Sequence, residues 1–495
     1  MIRRVVILTL TATSLASCSM EPHYVRPALP VPPSWPVGDA YLVQSEASLP
    51  SVTYQQVFRD TRLQTIIGQA LANNRDLRIA AANIEIARAT YHIQRAELLP
   101  EIDATGGYRY ARTGSTSSTT GTTGTGTTTT TSNARTTTGL SADVGITSFE
   151  IDLFGRVRSL THAAQNRYFE TEAAARATRL TLVGDIATTW LTYASDKSLL
   201  KIATDTAASA ERSVKLTKMR LDGGIAPRTD LDQANLVLQT AQSDVASQTT
   251  VLAQDVNALQ LLVGASIDNA LLPDSIEEVS PTVAELPPGL DSGILFRRPD
   301  VLQAEYELRA TNADIGAARA ALFPRISLTA LIGFASSGLS NLFTNGAFNY
   351  SVAPNVSYPI FRAGAGRAGV AQSRAQRDSA LATYEKAIQT AFREVADALA
   401  RRGTIDAQLR AQQALAAASA DNYKLSDARY RGGIDTFLNS LDAQRSLYSA
   451  RRTLVAAQLT KATNLVTLYR TLGGDSQLEP APGGPKPANE ATPPR

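Results

Sequence analysis

The side chains that most often do chemistry are few in this chain. Three histidines, His23, His92 and His162, lie far apart, and Cys18 is the only cysteine among 495 residues. That count excludes an intrachain disulfide framework and offers little for a histidine-based metal site. Only three methionines (Met1, Met20, Met219) make a soft thioether site for copper equally unpromising. No Walker sequence, His-Glu-x-x-His or Gly-x-Ser-x-Gly occurs. Gly364-Ala365-Gly366-Arg367-Ala368-Gly369 fits the dinucleotide fingerprint, but that chemistry needs a parallel βαβ unit with an acid about twenty residues on. The strand before it belongs to an antiparallel hairpin, so these glycines suit a bend between two elements. The remaining candidates are acidic. Asp435, Asn439 and Asp442 stand 4 and 3 apart and share one helix face. Repeated around a symmetry axis they would form acidic rings, which favour cations over anions. The plainer reading makes Asp435 and Thr229 helix N-caps or first-turn residues and Asp442 a solvated side chain. No catalytic residue, metal site or cofactor is expected, and the chain does not read as an enzyme.

The elements that would position these residues are written twice. Asn73-Asn74-Arg75-Asp76-Leu77 through Pro100 recurs as Arg297-Arg298-Pro299-Asp300-Val301 through Pro324, at a constant offset of 224. Later segments match at 209: Gly223-Gly224-Ile225 with Gly432-Gly433-Ile434, and Gly264 with Gly473. The first copy therefore carries 15 extra residues, in an interval that holds Thr113 to Ser132, a run of Thr, Ser and Gly alone. Such a run buries little apolar surface and is expected as a long exposed loop. In the first copy, Val183, Ile186, Trp190, Tyr193, Leu200, Ala203, Ala207, Ala210 and Val214 follow a coiled-coil seam. A helix from about Arg158 to Leu221 would run roughly 95 Å. Gly223-Gly224 ends it and Pro227 to Asp230 opens an antiparallel partner; Gly432-Gly433 does the same in the second copy.

Between the helices the period falls to two. Ile102, Ala104, Tyr108 and Tyr110 alternate with polar residues, as do Leu140, Ala142, Val144 and Ile146. The second copy has Ile326, Leu328, Ala330, Ile332 and Phe334, then Phe348, Tyr350, Val352, Val356 and Tyr358. Strands of about ten residues, apolar on one face and polar on the other, suit a lipid-facing, water-lined barrel. A small soluble sheet, half buried against helices, is the alternative. Two hairpins cannot close a barrel, and an open edge is not tolerated in hydrocarbon. Two copies would give about eight strands and three about twelve, and only the larger number leaves an aqueous lumen. A homotrimer is expected.

The first residues carry an address. Arg3 and Arg4 precede an apolar run to Leu15, followed by Leu15-Ala16-Ser17-Cys18. This reads as a secretory signal over residues 1–17, resembling the bacterial lipoprotein type in which Cys18 becomes the lipidated N-terminus. Ser19 rather than Asp after the cysteine favours the outer membrane by the same analogy. A single lipid anchor holds only moderately. Lys+Arg 48 against Asp+Glu 45 leave a net charge of +3, too balanced for a nucleic-acid partner. Hydrophobic residues make up 43% and aromatic ones only 6%, leaning towards long helices. The proline-rich residues 21–50 are expected extended along the exterior, and the tail 475–495 disordered.

Taken in order, Tyr24-Val25-Arg26-Pro27, Asn73 to Leu77, Arg95 to Pro100, Asp152-Leu153-Phe154-Gly155-Arg156, Tyr430-Arg431-Gly432-Gly433 and Leu441-Asp442-Ala443-Gln444-Arg445 resemble the outer membrane factor family. These are the TolC-like ducts of tripartite efflux pumps, and the lipidated, OprM-like branch is nearest. The resemblance runs from about Met20 to Gly474. It implies a mixed α/β membrane protein, a trimer whose twelve-stranded β-barrel continues into a twelve-helix periplasmic tunnel. Hairpins would fall at 101–154 and 325–363. The helical barrel and equatorial region would take 61–100, 155–264, 285–324 and 364–474, after an extended segment 18–60. It also implies a periplasmic adaptor and an inner-membrane transporter as partners, outer-membrane lipid around the barrel, and no chemistry by the duct itself.

By the same resemblance the tunnel closes at its periplasmic tip. Thr229 and Asp230 match turn residues whose hydrogen bonds hold TolC shut, Tyr430 matches their tyrosine partner, and Asp442 one of two constricting aspartates. Asn439 stands where TolC has the other aspartate, and Asp435 where it has an arginine. The expected function is a passive exit duct for drugs or other small toxic molecules. Its alternatives are an exit channel for protein or peptide secretion and a structural envelope lipoprotein.

Overall fold

The computed structural model describes residues 19–41, 53–114, 116–119, 129–132, 135–284, 292–344 and 346–474. The signal segment, Cys18 and the tail 475–495 lie outside them. In chain order come α1 (Tyr54–Val57), α2 (Thr61–Asn73), α3 (Arg75–Ala96), β1 (Asp103–Thr113), β2 (Thr116–Thr119), β3 (Thr129–Ser132), β4 (Arg135–Glu150), α4 (Arg156–Asp222) and α5 (Arg228–Val263). After these follow α6 (Ile276–Val279), α7 (Pro299–Ala320), β5 (Arg325–Ser336), β6 (Phe348–Ser357), α8 (Ala365–Arg431) and α9 (Phe437–Thr471). The long helices α4 and α8 have 67 residues each, one per copy. Among the described residues no helix is long and apolar enough to cross a membrane. The chain divides into two compact units, one built on Ala87–Tyr168 and Glu307–Ala380, the other on Arg26–Ile86, Phe169–Tyr306 and the chain from Leu381.

The first unit holds the sheet. Its order is β1-β4-β5-β6, antiparallel throughout, so both outer strands have an unpaired edge. Up to a register shift between Ile146 and Phe149 the apolar residues keep one face because even residues pair with even ones: Tyr108 with Leu140, Val144 with Ile332, Ile332 with Tyr350; beyond it Phe149 pairs with Leu328. β4 and β5 approach so closely that a Cβ on Gly145 or Gly333 would meet the opposing backbone. Of the threonine-rich run expected as an exposed loop, residues 120–128 lie outside the described residues, and its two ends are strand. β1 continues through Thr113, and β2 pairs with β3 from Thr116 opposite Ser132 to Thr119 opposite Thr129. β-branched residues favour extended backbone, and a hairpin ladder satisfies their peptide groups without any apolar core.

The second unit is helical and owns the largest core. Trp190, Ile186, Leu259, Leu63, Ile66 and Phe58 are almost fully buried there, and Trp190 Nε1 donates to the Leu271 carbonyl at 3.0 Å. The duplicated motif explains itself in this unit. Asn74 is buried and donates from Nδ2 to the Leu262 carbonyl at 2.7 Å. Its counterpart Arg298, also buried, donates from Nη1 to the Thr471 carbonyl at 3.1 Å and pairs with Asp300 and Glu394. Leu262 and Thr471 are themselves counterparts, so in each copy one polar side chain ties the motif to the end of the helical hairpin. Short turns of 3-10 helix at Asn269–Leu271, Ser280–Thr282 and Ser292–Arg297 join these parts.

The N-terminal segment is irregular from Ser19 to Tyr41, as its prolines require. The extended stretch expected through residue 60 ends sooner, because Thr53 and Gln56 cap each other's backbone and open α1. In the first unit, Arg319 and Asn312 donate to the carbonyls of Met20 and Pro22, and His162 Nδ1 lies 3.0 Å from Glu21 Oε2. In the second, Arg26 pairs with buried Glu305 at 2.9 Å and Trp35 stacks on Phe392.

Candidate functional site

The two helix turns are built alike. After α4, Gly224 takes φ +73°, and the Ile225 amide returns to the Arg220 carbonyl at 2.8 Å. After α8, Gly433 takes φ +74°, and the Ile434 amide returns to Arg429 at 2.9 Å. A left-handed glycine with such a 6→1 bond is an efficient way to stop a long helix and reverse the chain. Helices α5 and α9 then start beyond Pro227 and Thr436, which occupy the N-cap positions. Thr229 and Asp230 are therefore first-turn residues of α5, and Asp435 precedes the α9 cap rather than forming it.

Tyr430, Phe437, Leu441 and Ala234 form a small buried cluster, with Val214, Leu216 and Val237 against it. The rings of Tyr430 and Phe437 lie 5.2 Å apart, and the Arg220 guanidinium sits 4.5 Å over the Tyr430 ring. Arg220 also donates to the carbonyls of Tyr430 and Arg431. One group is left over: the Tyr430 hydroxyl is buried in the single chain without a hydrogen-bond partner. Such a group is costly to leave unpaired. Thr229 and Asp230 do not reach it within the chain.

The two departures from the TolC pattern satisfy one another. Asp435 accepts from Arg429 Nε at 2.7 Å and from Asn439 Nδ2 at 3.0 Å. These hydrogen bonds, Arg429's first, hold the Asp435 carboxyl below its ordinary 3.8. Arg429 and Arg220 are counterparts in the repeat, yet one braces its own turn while the other covers Tyr430. Asp442 is different. Its side chain is 64% exposed, and its nearest cation, Arg445, is 3.9 Å away. The structure thus brings Asp435 and Asn439 together, sets Tyr430 in an apolar cluster, and leaves Asp442 facing solvent.

Further from the turns are groups that the sequence pattern did not single out. Tyr448 of α9 donates its hydroxyl to Asp244 of α5, with Arg452 beside both. Burial, then the Asp244 carboxylate, pushes the Tyr448 hydroxyl up to about 12. Asp196 of α4 and Asp255 of α5 hydrogen-bond to each other, and burial together with this like-charged neighbour pushes Asp255 up to about 7. Each pair joins residues distant in sequence with no motif around them; only knowledge of helix pairing could have found them. A cavity of about 110 Å³ lies among Thr206, Leu236, Val237, Gln444, Arg445 and Tyr448. It is too small for a drug-sized passenger.

Helices of this length, a duplicated hairpin sheet with open edges and glycine-stopped turns define a class of channel-forming envelope proteins. The chain belongs to the outer membrane efflux protein family, whose model matches residues 66–265 and 292–474. It is 42% identical over 469 residues to a probable efflux pump outer membrane protein, TtgC, of Pseudomonas putida, covering 94% of each chain. It is 38% identical over 468 residues to the outer membrane protein OprJ of Pseudomonas aeruginosa, again covering 94% of both. Among solved structures it is similar to the open state of the Neisseria gonorrhoeae MtrE outer membrane channel. There the TM-score is 0.81 with 31% identity, over 93% of this chain and all of the other chain.

Proposed function

We propose that this protein is the outer-membrane exit duct of a tripartite efflux system, a lipid-anchored homotrimer that conducts small toxic molecules passively out of the cell. The observation that carries this reading is the four-stranded sheet with two unpaired edges and one apolar face. A membrane-embedded sheet must close, so separate chains supply the missing strands. Three copies give about twelve strands, enough for a water-filled lumen. The alternation of polar residues on the other face, Asp143 and Asn355 among them, lines that lumen. The relatives named as efflux pump components support the cargo class and imply a periplasmic adaptor and an inner-membrane transporter, which supplies the energy. Cys18 bears the lipid, and the docked residues from Met20 to Pro22 hold the segment that follows it. The tips formed by Thr229, Asp230, Tyr430, Asp435, Asn439 and Asp442 are the periplasmic gate. The orphaned Tyr430 hydroxyl has its partner across a chain boundary there.

Deletion of the gene tests the cargo. Greater susceptibility to several unrelated drugs, with an unchanged set of secreted proteins, is the expected result. A secretome that loses particular proteins while drug susceptibility stays level would support the secretion reading instead.

A further inference from the structure

We propose that a second copy of this chain completes the sheet in one defined register, with Val352 of β6 opposite Tyr110 of the next chain's β1 and Phe361 seated on the next chain's Leu99. This deepens the trimer reading and rests on it. The sheet itself holds a template for the contact between chains, because the joint between β4 and β5 is a joint between the two copies of the repeat. What the first copy's second strand does to the second copy's first strand, β6 must do to the β1 that follows.

The counterparts can be fixed from the pairings themselves. Gly145 pairs with Asp103, and Asn355 pairs with Ser327, which is the counterpart of Asp103 at the offset of 224. Asn355 is therefore the counterpart of Gly145, and in the same way Val352 answers Ala142 and Tyr350 answers Leu140. Ala142 pairs with Phe334, and Leu140 with Ser336. Carried across the repeat, these become Val352 opposite Tyr110 and Tyr350 opposite Arg112 of the next chain. The register keeps even residues opposite even ones, so the apolar face runs unbroken across the joint; a slip of one residue would turn it inside out. On the other face Leu331 stands opposite Gly145, and Asn355 would stand opposite Gly107, large against small in both joints.

The foot of the sheet repeats the argument independently. Phe154, just before the left-handed Gly155, stacks on Phe323 at the end of α7, with ring centres 4.8 Å apart. Matching Leu153-Phe154 with Ile360-Phe361 makes Phe361 its counterpart, three residues before the left-handed Gly364, and Phe361 is 86% exposed in the single chain. The counterpart of Phe323 is Leu99, which is 72% exposed. Each half of the contact is present and each lacks its mate. The joint is heterologous, so it passes from chain to chain until the ring closes.

Two double-cysteine variants of the full-length chain test this in outer-membrane fractions: Tyr110→Cys with Val352→Cys, and Leu99→Cys with Phe361→Cys. Cys18 is the only native cysteine, so the single variants give the background. A bifunctional thiol reagent of about 5 Å spans directly opposed strand positions but not their diagonal neighbours at about 7–8 Å. The expected result is cross-linked dimers and trimers for both pairs. Their yield should be about five-fold above that of Tyr110→Cys paired with Tyr350→Cys or Pro354→Cys, the registers slid by two. A slid pair that wins while the purified particle keeps an oligomer's mass would overturn the register and leave the trimer standing. Loss of the Leu99–Phe361 link alone would overturn the foot contact. No link for any pair, with a monomer's mass, would overturn both the inference and the trimer.

Discussion

Asp442 keeps its charge available, and Asp435 does not. Arg429 and Asn439 occupy the Asp435 carboxylate within its own turn, so a ring of Asp435 side chains would present little net charge. Asp442 has only a distant Arg445 for company. If the tips surround a narrow aqueous passage, the acidic ring there is Asp442's. Asp442→Ala should therefore raise single-channel conductance by about two-fold or more and weaken cation preference, because an acidic ring both attracts and holds cations. Planar-bilayer recordings of the purified protein check this; unchanged conductance and selectivity at equal insertion would remove Asp442 from the gate.

The long elements were legible and their joints were not. The seam through Val183, Ile186 and Trp190 and the glycines at 223–224 place α4 to within about two residues, and the glycines at 432–433 place the end of α8, because periodicity and chain reversal are local properties. The strand pattern also survives, although β4 is longer than the four alternating residues that announced it. The ends of the threonine run are strand where a loop was expected, because low apolar content argues against a core while a ladder needs none. At the candidate gate, Asp442 and Tyr430 could be named from spacing and resemblance. Arg220 over Tyr430 and the pairing of Asp435 with Asn439 could not, since both depend on how the reversed helices meet. The same holds for Asp196 and Asp255, joined only by the packing of α4 on α5. Asp255 is held up near 7, above its ordinary 3.8, so ionising it costs more in the folded chain than in the unfolded one. The penalty is absent below about 3.8, builds as pH rises from there to about 7, and is complete above it. Asp255→Asn should thus melt about 2–4 °C higher than the parent at pH 8.5 and close to it at pH 3.5, read by thermal unfolding in detergent. A variant less stable than the parent at pH 8.5 would contradict the repulsion between these carboxyls.

For the whole molecule, function follows from incompleteness. Duplication yields two hairpins whose sheet is finished on its faces and unfinished at its edges, and two helical hairpins whose tips leave a tyrosine hydroxyl without a partner. In the proposed trimer both deficits would be met by the same act of assembly, and the cargo route would run through the lumen rather than through the cavity near Tyr448, which holds a few waters at most. The mass of the intact particle in detergent or nanodiscs measures that act directly. Three chains per particle, with ion conductance after reconstitution, is the result expected. A stable, non-conducting single chain would contradict the account.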